Sequence, residues 1–517
     1  METNKTANKQ SGERWMTKAG IEAVRGGSPG PRVVIIGAGV AGILMGLKLR
    51  ERGWHDFTIL EKADRLGGTW RDNTYPGIAC DVFAHLYIYS FAPNPGWSSR
   101  FAGGPEIWKY YHGVAKRYGV LPHICYNKEV ASAEFLGNGW RVTTKDGDVL
   151  AADVVISGCG RLHHPVMPDI PGRDSFAGPS FHTARWDWSV PFKGKRLGLI
   201  GTGSSASQIT AEIADKVGKL VLFQRTPQWV WPMDNDPIPW WKRLAYRLFP
   251  PLVRKHYREL EAMFDKMARA VTIDPEARAQ RDKLIRGALD RIRDPELRAK
   301  MTPDYEVGCK RLVISGGFHE AVQKPSVALV TEGIDHIEAK GVVTKDGKLH
   351  ELDILVFATG FNAHAFLRPM QITGEGGVTL EKLWTDLPVS YRSVALPHMP
   401  NFFMMNGPYS PGGSASVVSI VETHVAYLMQ LLERIDQEKI LLAPTEEAAW
   451  DWFNDARERS RNSVFGTGGC QSWYLDKTGT PALDPITLPE LKENLAAPRY
   501  EDFEVRAVQQ PVMGAAA

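Results

Sequence analysis

The chain has 517 residues, which exceeds one ordinary domain and favours two or three. Its 62 Lys and Arg against 59 Asp and Glu give a formal net charge of +3, which excludes a strong field drawing it to nucleic acid. The five cysteines lack Cys-x-x-Cys or metal-ligand spacing, which predicts free thiols in a reducing compartment, no metal, and no flavin disulfide reductase. No apolar run reaches the roughly 18 residues of a membrane span, so we expect a cytoplasmic enzyme without a transmembrane segment.

A first nucleotide-binding turn follows a polar segment, residues 1–30, that we interpret as a flexible N-terminal extension. Residues 32–36 form a short β-branched run that leads into a glycine turn and an apolar helical pattern. The glycines of this turn are Gly37, Gly39 and Gly42. They permit a tight bend, close approach of a pyrophosphate and close packing of helix on strand. The next predicted strand ends at Glu61, placed to accept from ribose hydroxyls, and we expect FAD here.

Residues 161–189 are predicted to link two domains, because they follow a buried strand that breaks on glycine and contain proline-rich connectors. This linker carries a spaced set of residues: Phe176, Gly178, His182, Trp186 and Asp187. His182 is interpreted as a hydrogen-bonding residue that couples the two domains, with direct catalysis as the alternative.

A second nucleotide-binding turn follows the apolar run at 197–200. Its small residues and the start of its helix are Gly201, Gly203, Ser204, Ser205 and Ala206. The following strand leads into Arg225 and Thr226. These residues stand at the position where an acidic residue would indicate a preference for NAD(H). A guanidinium there pairs with a 2′-phosphate, so the pattern favours NADP(H).

Residues 239–300 interrupt this second unit and read as helices with proline breaks. We expect a solvated helical insertion with an apolar inner face. Weak association with a membrane surface is the alternative, suggested by Trp240, Trp241 and the pair at 248–249 beside basic residues.

The C-terminal part contains three further features. A buried strand at 353–360 breaks on glycine, as expected of a strand that ends against a nucleotide. The loop at 407–413 precedes a helical pattern at 414–434, whose N-terminus could stabilise an anionic reduced flavin. The glycine-rich stretch 466–479 has the composition of a mobile lid.

These elements predict an α/β fold of two Rossmann-like dinucleotide-binding domains, with the helical insertion in the second. The FAD domain is discontinuous, comprising residues 31–160 and 340–517, and the NADPH domain covers residues 190–335.

The linker set matches F-x-G-x-x-x-H-x-x-x-W-(P/D) at every fixed position, and it resembles the fingerprint of Baeyer–Villiger monooxygenases (type I, class B flavoprotein monooxygenases). Further matches occur in the same order along the chain. They are the segments 67–70 (which contains Gly68, Thr69 and Trp70), 75–77, 80–81 (Cys80 and Asp81), 308–311, 358–361 and 472–474.

The resemblance implies that NADPH reduces FAD, that O₂ yields a C4a-peroxyflavin, and that a ketone becomes an ester or lactone. It implies that Arg311 is catalytic with Asp81 as its partner and flavin-proximal neighbour. It also implies that Lys310 contacts the NADP 2′-phosphate and that Trp473 contacts bound NADP⁺. Sulfoxidation is an expected side activity. An N- or S-oxygenating flavin monooxygenase and a non-catalytic FAD-loaded redox sensor are the alternatives.

Overall fold

The structure is a computed structural model that describes residues 29–272, 274–413 and 415–508. All but the last two residues of the predicted N-terminal extension lie outside these ranges.

The strands are named in chain order. They are β1 Val33–Ile36, β2 Phe57–Leu60, β3 Ile124–Cys125, β4 Val130–Phe135, β5 Trp140–Thr144, β6 Val149–Ala152, β7 Val154–Ser157, β8 Ser180–His182, β9 Arg196–Ile200, β10 Lys219–Phe223, β11 Val230–Trp231, β12 Val313–Ile314, β13 Val327–Val330, β14 Ile334–Glu338, β15 Gly341–Thr344, β16 Leu349–Glu351, β17 Ile354–Phe357, β18 Gln371–Thr373, β19 Phe402–Met404, β20 Ile440–Pro444 and β21 Phe503–Ala507.

The helices are named in the same way. They are α1 Val40–Glu51, α2 Thr69–Asp72, α3 Gly104–Arg117, α4 Ser204–Ile213, α5 Trp240–Leu248, α6 Pro250–Thr272, α7 Pro275–Gly287, α8 Pro295–Met301, α9 Phe318–Ala321, α10 Leu380–Leu383, α11 Val417–Glu438, α12 Glu446–Asn462, α13 Val464–Thr467 and α14 Leu488–Asn494.

Two parallel five-stranded sheets with the same arrangement of inner strands confirm the predicted fold class. The first has the order β19-β7-β1-β2-β3 and the second has the order β13-β10-β9-β17-β8. In each sheet the strand before the glycine turn is central, because β1 pairs with β2 and β7 while β9 pairs with β10 and β17. Ligands of such sheets bind outside the carboxyl ends of the strands. Both glycine turns lie at that edge.

The return of the chain to the first sheet comes later than predicted. Strand β17 pairs with β9 and β8, so the second sheet extends to Phe357 and does not end near residue 335. The first sheet is rejoined by β19, whose Phe402 lies opposite Val155 of β7. Part of the predicted linker is also a strand, since β8 forms the edge of the second sheet. Buried strands of both sheets are equally apolar, so their composition does not distinguish the two sheets.

The insertion forms helices α5 to α8, as predicted, but its apolar residues do not all face inward. Tyr246 and Val253 are buried, whereas Trp240, Trp241 and Leu248 are exposed. Over the three described ranges, the structure contains no helix that combines the length and apolar character needed to cross a bilayer.

Candidate active site

The first glycine turn is fixed by backbone contacts that only glycine allows. Gly37 has a φ of +98°, and a Cβ there would lie 3.2 Å from the carbonyl oxygen of Gly158, just beyond β7. A Cβ at Gly42 would lie 1.9 Å from the carbonyl oxygen of Gly37. The turn therefore packs against both its own helix α1 and the neighbouring strand end, as the sequence predicted for the first glycine site.

Glu61 holds this turn from the end of β2. Its buried carboxylate accepts hydrogen bonds from the backbone N–H groups of Ala38 (2.9 Å) and Ala63 (3.0 Å). The guanidinium of Arg71 donates to the same carboxylate at 2.7 Å, and both side chains are about 5% exposed. The described contacts of Glu61 thus stabilise the turn itself, and contact with a ribose stays a prediction.

The segment that contains Gly68, Thr69 and Trp70 lies directly over this turn. The N–H of Gly67 donates to the carbonyl of Ala38, and a Cβ at Gly68, whose φ is +51°, would lie 3.4 Å from the Cα of Gly39. Thr69 begins α2, and the indole of Trp70 donates to the hydroxyl of Tyr87 at 3.2 Å. Two backbone segments without side chains therefore face each other where a cofactor would enter.

The second glycine turn repeats this arrangement. Gly201 has a φ of +111°, and a Cβ there would lie 2.5 Å from the carbonyl oxygen of Ala358, just beyond β17. Helix α4 begins with Ser204 and Ser205 after Gly203, so its N–H groups face the carboxyl edge of the sheet. Both predicted strand ends, at 158–160 and 358–360, therefore lie against a glycine turn.

Two cations converge beside the second turn. Arg225 follows β10 with an exposed side chain, and the carbonyl of Thr226 accepts from the Thr202 hydroxyl at 3.1 Å. Partial burial lowers the pKa of Lys310, and the charge of Arg225 lowers it further. The Lys310 ammonium also lies 4.5 Å from the centre of the Tyr305 ring. Two neighbouring positive charges suit a phosphate dianion, which would relieve their repulsion.

Arg311 and Asp81 form the two-pronged ion pair that the resemblance implied. Arg311 Nε donates to Asp81 Oδ2 at 2.9 Å and Nη2 donates to Oδ1 at 2.6 Å. The charge of Asp81 raises the pKa of Arg311 above its usual range. Asp81 belongs to the chain of the first unit, whereas Arg311 belongs to the second, so this pair bridges the two nucleotide units. The Arg311 side chain is 41% exposed.

The loop that carries Arg311 is held by Arg281 of α7. Gly308 has a φ of +88°, and Arg281 donates to the carbonyl of Val307 at 2.8 Å. The Arg281 side chain is 8% exposed and is paired with Asp282. No sequence motif marked Arg281, because its partner is a backbone carbonyl 26 residues away.

A disulfide between Cys309 and Cys470 corrects the prediction that all cysteines are free thiols. The two residues are separated by 161 positions, and their Cα atoms lie 6.0 Å apart. The N–H of Glu306 also donates to the carbonyl of Gly468 at 2.9 Å. The loop that holds Lys310 and Arg311 is thus tied to the glycine-rich stretch that holds Trp473. Cys80 and Cys159 are free, as predicted.

The predicted lid, residues 466–479, is folded against the site. Tyr474 is buried against Phe465, whereas Trp473 is 43% exposed and lies 4.2 Å from Tyr474 between ring centres. The carbonyl of Trp473 lies 2.8 Å from Nε2 of His364. Arg161, another residue missed by the sequence, donates to the carbonyl of Ala482 at 3.2 Å, and burial lowers its pKa to about 10.

The fingerprint residues are structural rather than catalytic in their contacts. Gly178 approaches β17 so closely that a Cβ would lie 2.5 Å from the carbonyl oxygen of Asp353. Phe176 and Trp186 are buried in the core of the second unit. The Asp187 carboxylate accepts from the N–H and hydroxyl of Ser189, and caps a turn.

His182 ends β8 opposite Phe357 of β17, next to the 358–360 strand end. Its Nδ1 accepts from the N–H of Ala184 at 3.0 Å, and burial lowers its pKa to about 4. The ring is therefore neutral near pH 7, which favours the predicted role as a hydrogen-bonding coupler.

Helix α11 begins at Val417, and the Ser416 hydroxyl caps it by accepting from the N–H of Val418 at 3.3 Å. The sequence placed this start about three residues earlier. Ser416 satisfies one terminal N–H, and the helix N-terminus retains its positive end.

Comparison with protein families identifies the dinucleotide-binding part. The family model described as pyridine nucleotide-disulphide oxidoreductase matches residues 34–283. An uncharacterised monooxygenase of Mycobacterium bovis is 42% identical over 92% of this chain and 96% of its own length. A Baeyer–Villiger monooxygenase of Streptomyces coelicolor is 36% identical over 94% of this chain and 95% of its own length.

Solved structures agree over the whole fold. Cyclohexanone monooxygenase from Rhodococcus sp. Phi1 bound to NADP⁺ superposes with a TM-score of 0.82 and 30% identity, covering 93% of this chain and 100% of that one. OTEMO in complex with FAD and NADP superposes with a TM-score of 0.83 and 25% identity over the same shares. With this fold, this ion pair and these relatives, the chain belongs to the Baeyer–Villiger monooxygenase family.

Proposed function

We propose that this enzyme uses NADPH and O₂ to convert ketones to esters or lactones. The observation that carries the proposal is the ion pair of Arg311 with Asp81, which sets a permanent cation between two nucleotide units. An alternative that oxygenates only nitrogen or sulfur needs no such cation, because its substrates are themselves nucleophiles. A non-catalytic redox sensor has no use for it either.

The residues present fit FAD at the first turn and NADPH at the second. Within the described ranges, a Cβ at Gly203 would meet no atom within 4 Å, and one at Gly39 would meet only the Cα of Gly68, at 3.9 Å. These bare backbone surfaces leave space for phosphates beside the N-termini of α1 and α4. Arg225 and Lys310 would hold the 2′-phosphate, and Trp473 would contact the bound NADP⁺.

FAD, when bound, would pass two electrons from NADPH to O₂, so that one oxygen atom enters the substrate and the other leaves as water. Arg311 donates N–H groups to the negative charge that develops on oxygen during this transfer. A guanidinium suits the task because it stays charged and offers several donors in one plane. Asp81 keeps that cation paired when substrate is absent, which avoids the cost of an isolated partly buried charge.

The lid excludes water from the reaction, because Tyr474 is buried and the Cys309–Cys470 disulfide anchors the lid to the arginine loop. The N-terminus of α11 would supply a positive end for an anionic reduced flavin. Sulfoxidation is expected as a side activity, since a thioether attacks an electrophilic oxygen without help from Arg311. We also propose a cytoplasmic location, which the dependence on NADPH supports.

Aerobic turnover with a panel of ketones and one thioether tests the proposal. We expect NADPH consumption matched by ester or lactone, detected by mass as substrate plus one oxygen. Sulfoxide formation together with no ester from any ketone would overturn it and favour the heteroatom-oxygenating alternative.

A further inference from the structure

Helix α5 turns its large apolar side chains toward solvent. Trp240 is 70% exposed, Trp241 59% and Leu248 64%. Phe249 and Leu252 continue this surface at the corner between α5 and α6. We call this surface the apolar patch, which comprises Trp240, Trp241, Leu244, Leu248, Phe249 and Leu252. Contiguous exposed apolar surface of this kind marks an interaction site.

The opposite side of the helices holds the patch in place. Tyr246 is buried, with its ring centre 5.1 Å from that of His85 and 5.8 Å from that of His256 on α6. Val253 is also buried. Tyr246 and Val253 fix the inner side of these helices. The tryptophans therefore point outward from helices that are packed against the protein.

The patch lies within a strongly basic stretch. Residues 239–258 contain no Asp or Glu but six Lys or Arg, namely Lys242, Arg243, Arg247, Arg254, Lys255 and Arg258. One of them, Lys255, lies 3.8 Å from Glu259. Asp234 and Asp236 precede α5, and Asp236 is paired with Arg100. The rim of the patch therefore carries a net positive charge.

We propose that the apolar patch docks onto a membrane surface that contains anionic phospholipid. Tryptophan and phenylalanine side chains insert at the level of the headgroups, while lysine and arginine stay among the phosphates. The rim adds an attraction to anionic lipid that salt screens. A second copy of the chain would present the same positive rim, so the charge favours lipid. This inference goes beyond the oxidation itself and does not depend on the substrate.

Co-sedimentation of the FAD-loaded enzyme with vesicles tests the inference. We compare phosphatidylcholine alone with phosphatidylcholine containing about 30 mol% phosphatidylglycerol, at low and high salt. We expect binding to the anionic vesicles only, weakened by salt. The triple variant Trp240→Gln, Trp241→Gln, Phe249→Gln should reduce the bound fraction about fivefold or more.

Trp450→Gln is the matched control, because Trp450 is an exposed tryptophan (40%) on α12 outside the patch. It should bind vesicles like the wild type, and both variants should retain turnover of a water-soluble ketone. No binding to anionic vesicles, or equal loss with Trp450→Gln, would overturn the inference. A lipid-free dimer that the triple variant converts to monomer would also overturn it and assign the patch to a second copy.

Discussion

Asp81 and Arg311, 230 positions apart in the chain, meet through two parallel hydrogen bonds. Each belongs to a different nucleotide unit, so the pair links the two units. Movement of one unit against the other has to stretch or break it. Whether the ion pair is formed or broken therefore determines where the guanidinium of Arg311 lies.

Arg225→Ala should raise the KM for NADPH about tenfold or more and leave that for NADH nearly unchanged, because only NADPH carries the 2′-phosphate. Steady-state kinetics with both cofactors measure this. Arg173→Ala, an arginine of the linker outside the site, is the control and should change neither value. Equal effects on both cofactors would contradict the assignment.

Replacing Cys309 and Cys470 with serine should loosen the contact between the arginine loop and the lid. We expect severalfold more hydrogen peroxide per NADPH consumed, because a mobile lid admits water. Amplex-type peroxide detection beside ester analysis gives the ratio, and a thiol reductant added to the wild type should have the same effect. Cys125→Ser, at a cysteine outside the Cys309–Cys470 disulfide, should leave the ratio unchanged. If the double variant stays fully coupled, the disulfide has no part in closing the site.

Gly178→Ala should lower the melting temperature by several degrees, because the new Cβ would lie 2.5 Å from the carbonyl oxygen of Asp353. Differential scanning fluorimetry measures this. Gly113→Ala, in helix α3 with no atom of the described residues within 4 Å of the added Cβ, should keep or slightly raise it. Equal melting temperatures for the two variants would show that the fingerprint glycine is not needed for packing.

His182 should make stability sensitive to acid. Its pKa falls from 6.5 to about 4 on burial, so its neutral ring stabilises the fold above pH 6.5. That contribution is lost as the pH falls from 6.5 toward 4. His182→Asn keeps an acceptor for the N–H of Ala184 but does not titrate. Its melting temperature should therefore fall less steeply over this range than that of the wild type or of the exposed control His55→Asn. Parallel slopes for all three proteins would contradict this role.

Much of the site could be predicted because it rests on local patterns. A glycine turn between strand and helix indicates a dinucleotide-binding unit, and the residue after the next strand indicates which dinucleotide is preferred. Contacts made across the fold had no such signal. The Cys309–Cys470 bond joins positions 161 apart, and Arg281 binds a carbonyl, which any residue could supply. Strand β17 was placed in the wrong sheet because it is an apolar, fully buried run like most of β7.

The sequence analysis expected the insertion to turn its apolar face inward, and it raised the tryptophans of α5 only in the membrane-surface alternative. A helix with an apolar stripe is usually packed with that stripe inward, and the sequence alone does not say which face meets the protein. Tyr246 and Val253 are buried, whereas Trp240 and Leu244 are exposed.

The most direct test of the account is rapid-mixing kinetics on Arg311→Ala. Anaerobic mixing with NADPH measures flavin reduction, and aerobic turnover with an accepted ketone measures ester. We predict that FAD and NADPH still bind and that ester formation falls by about two to three orders of magnitude. Thioether oxidation should fall far less. Ester formation at the wild-type rate in Arg311→Ala would contradict the central claim that this guanidinium stabilises the developing oxyanion.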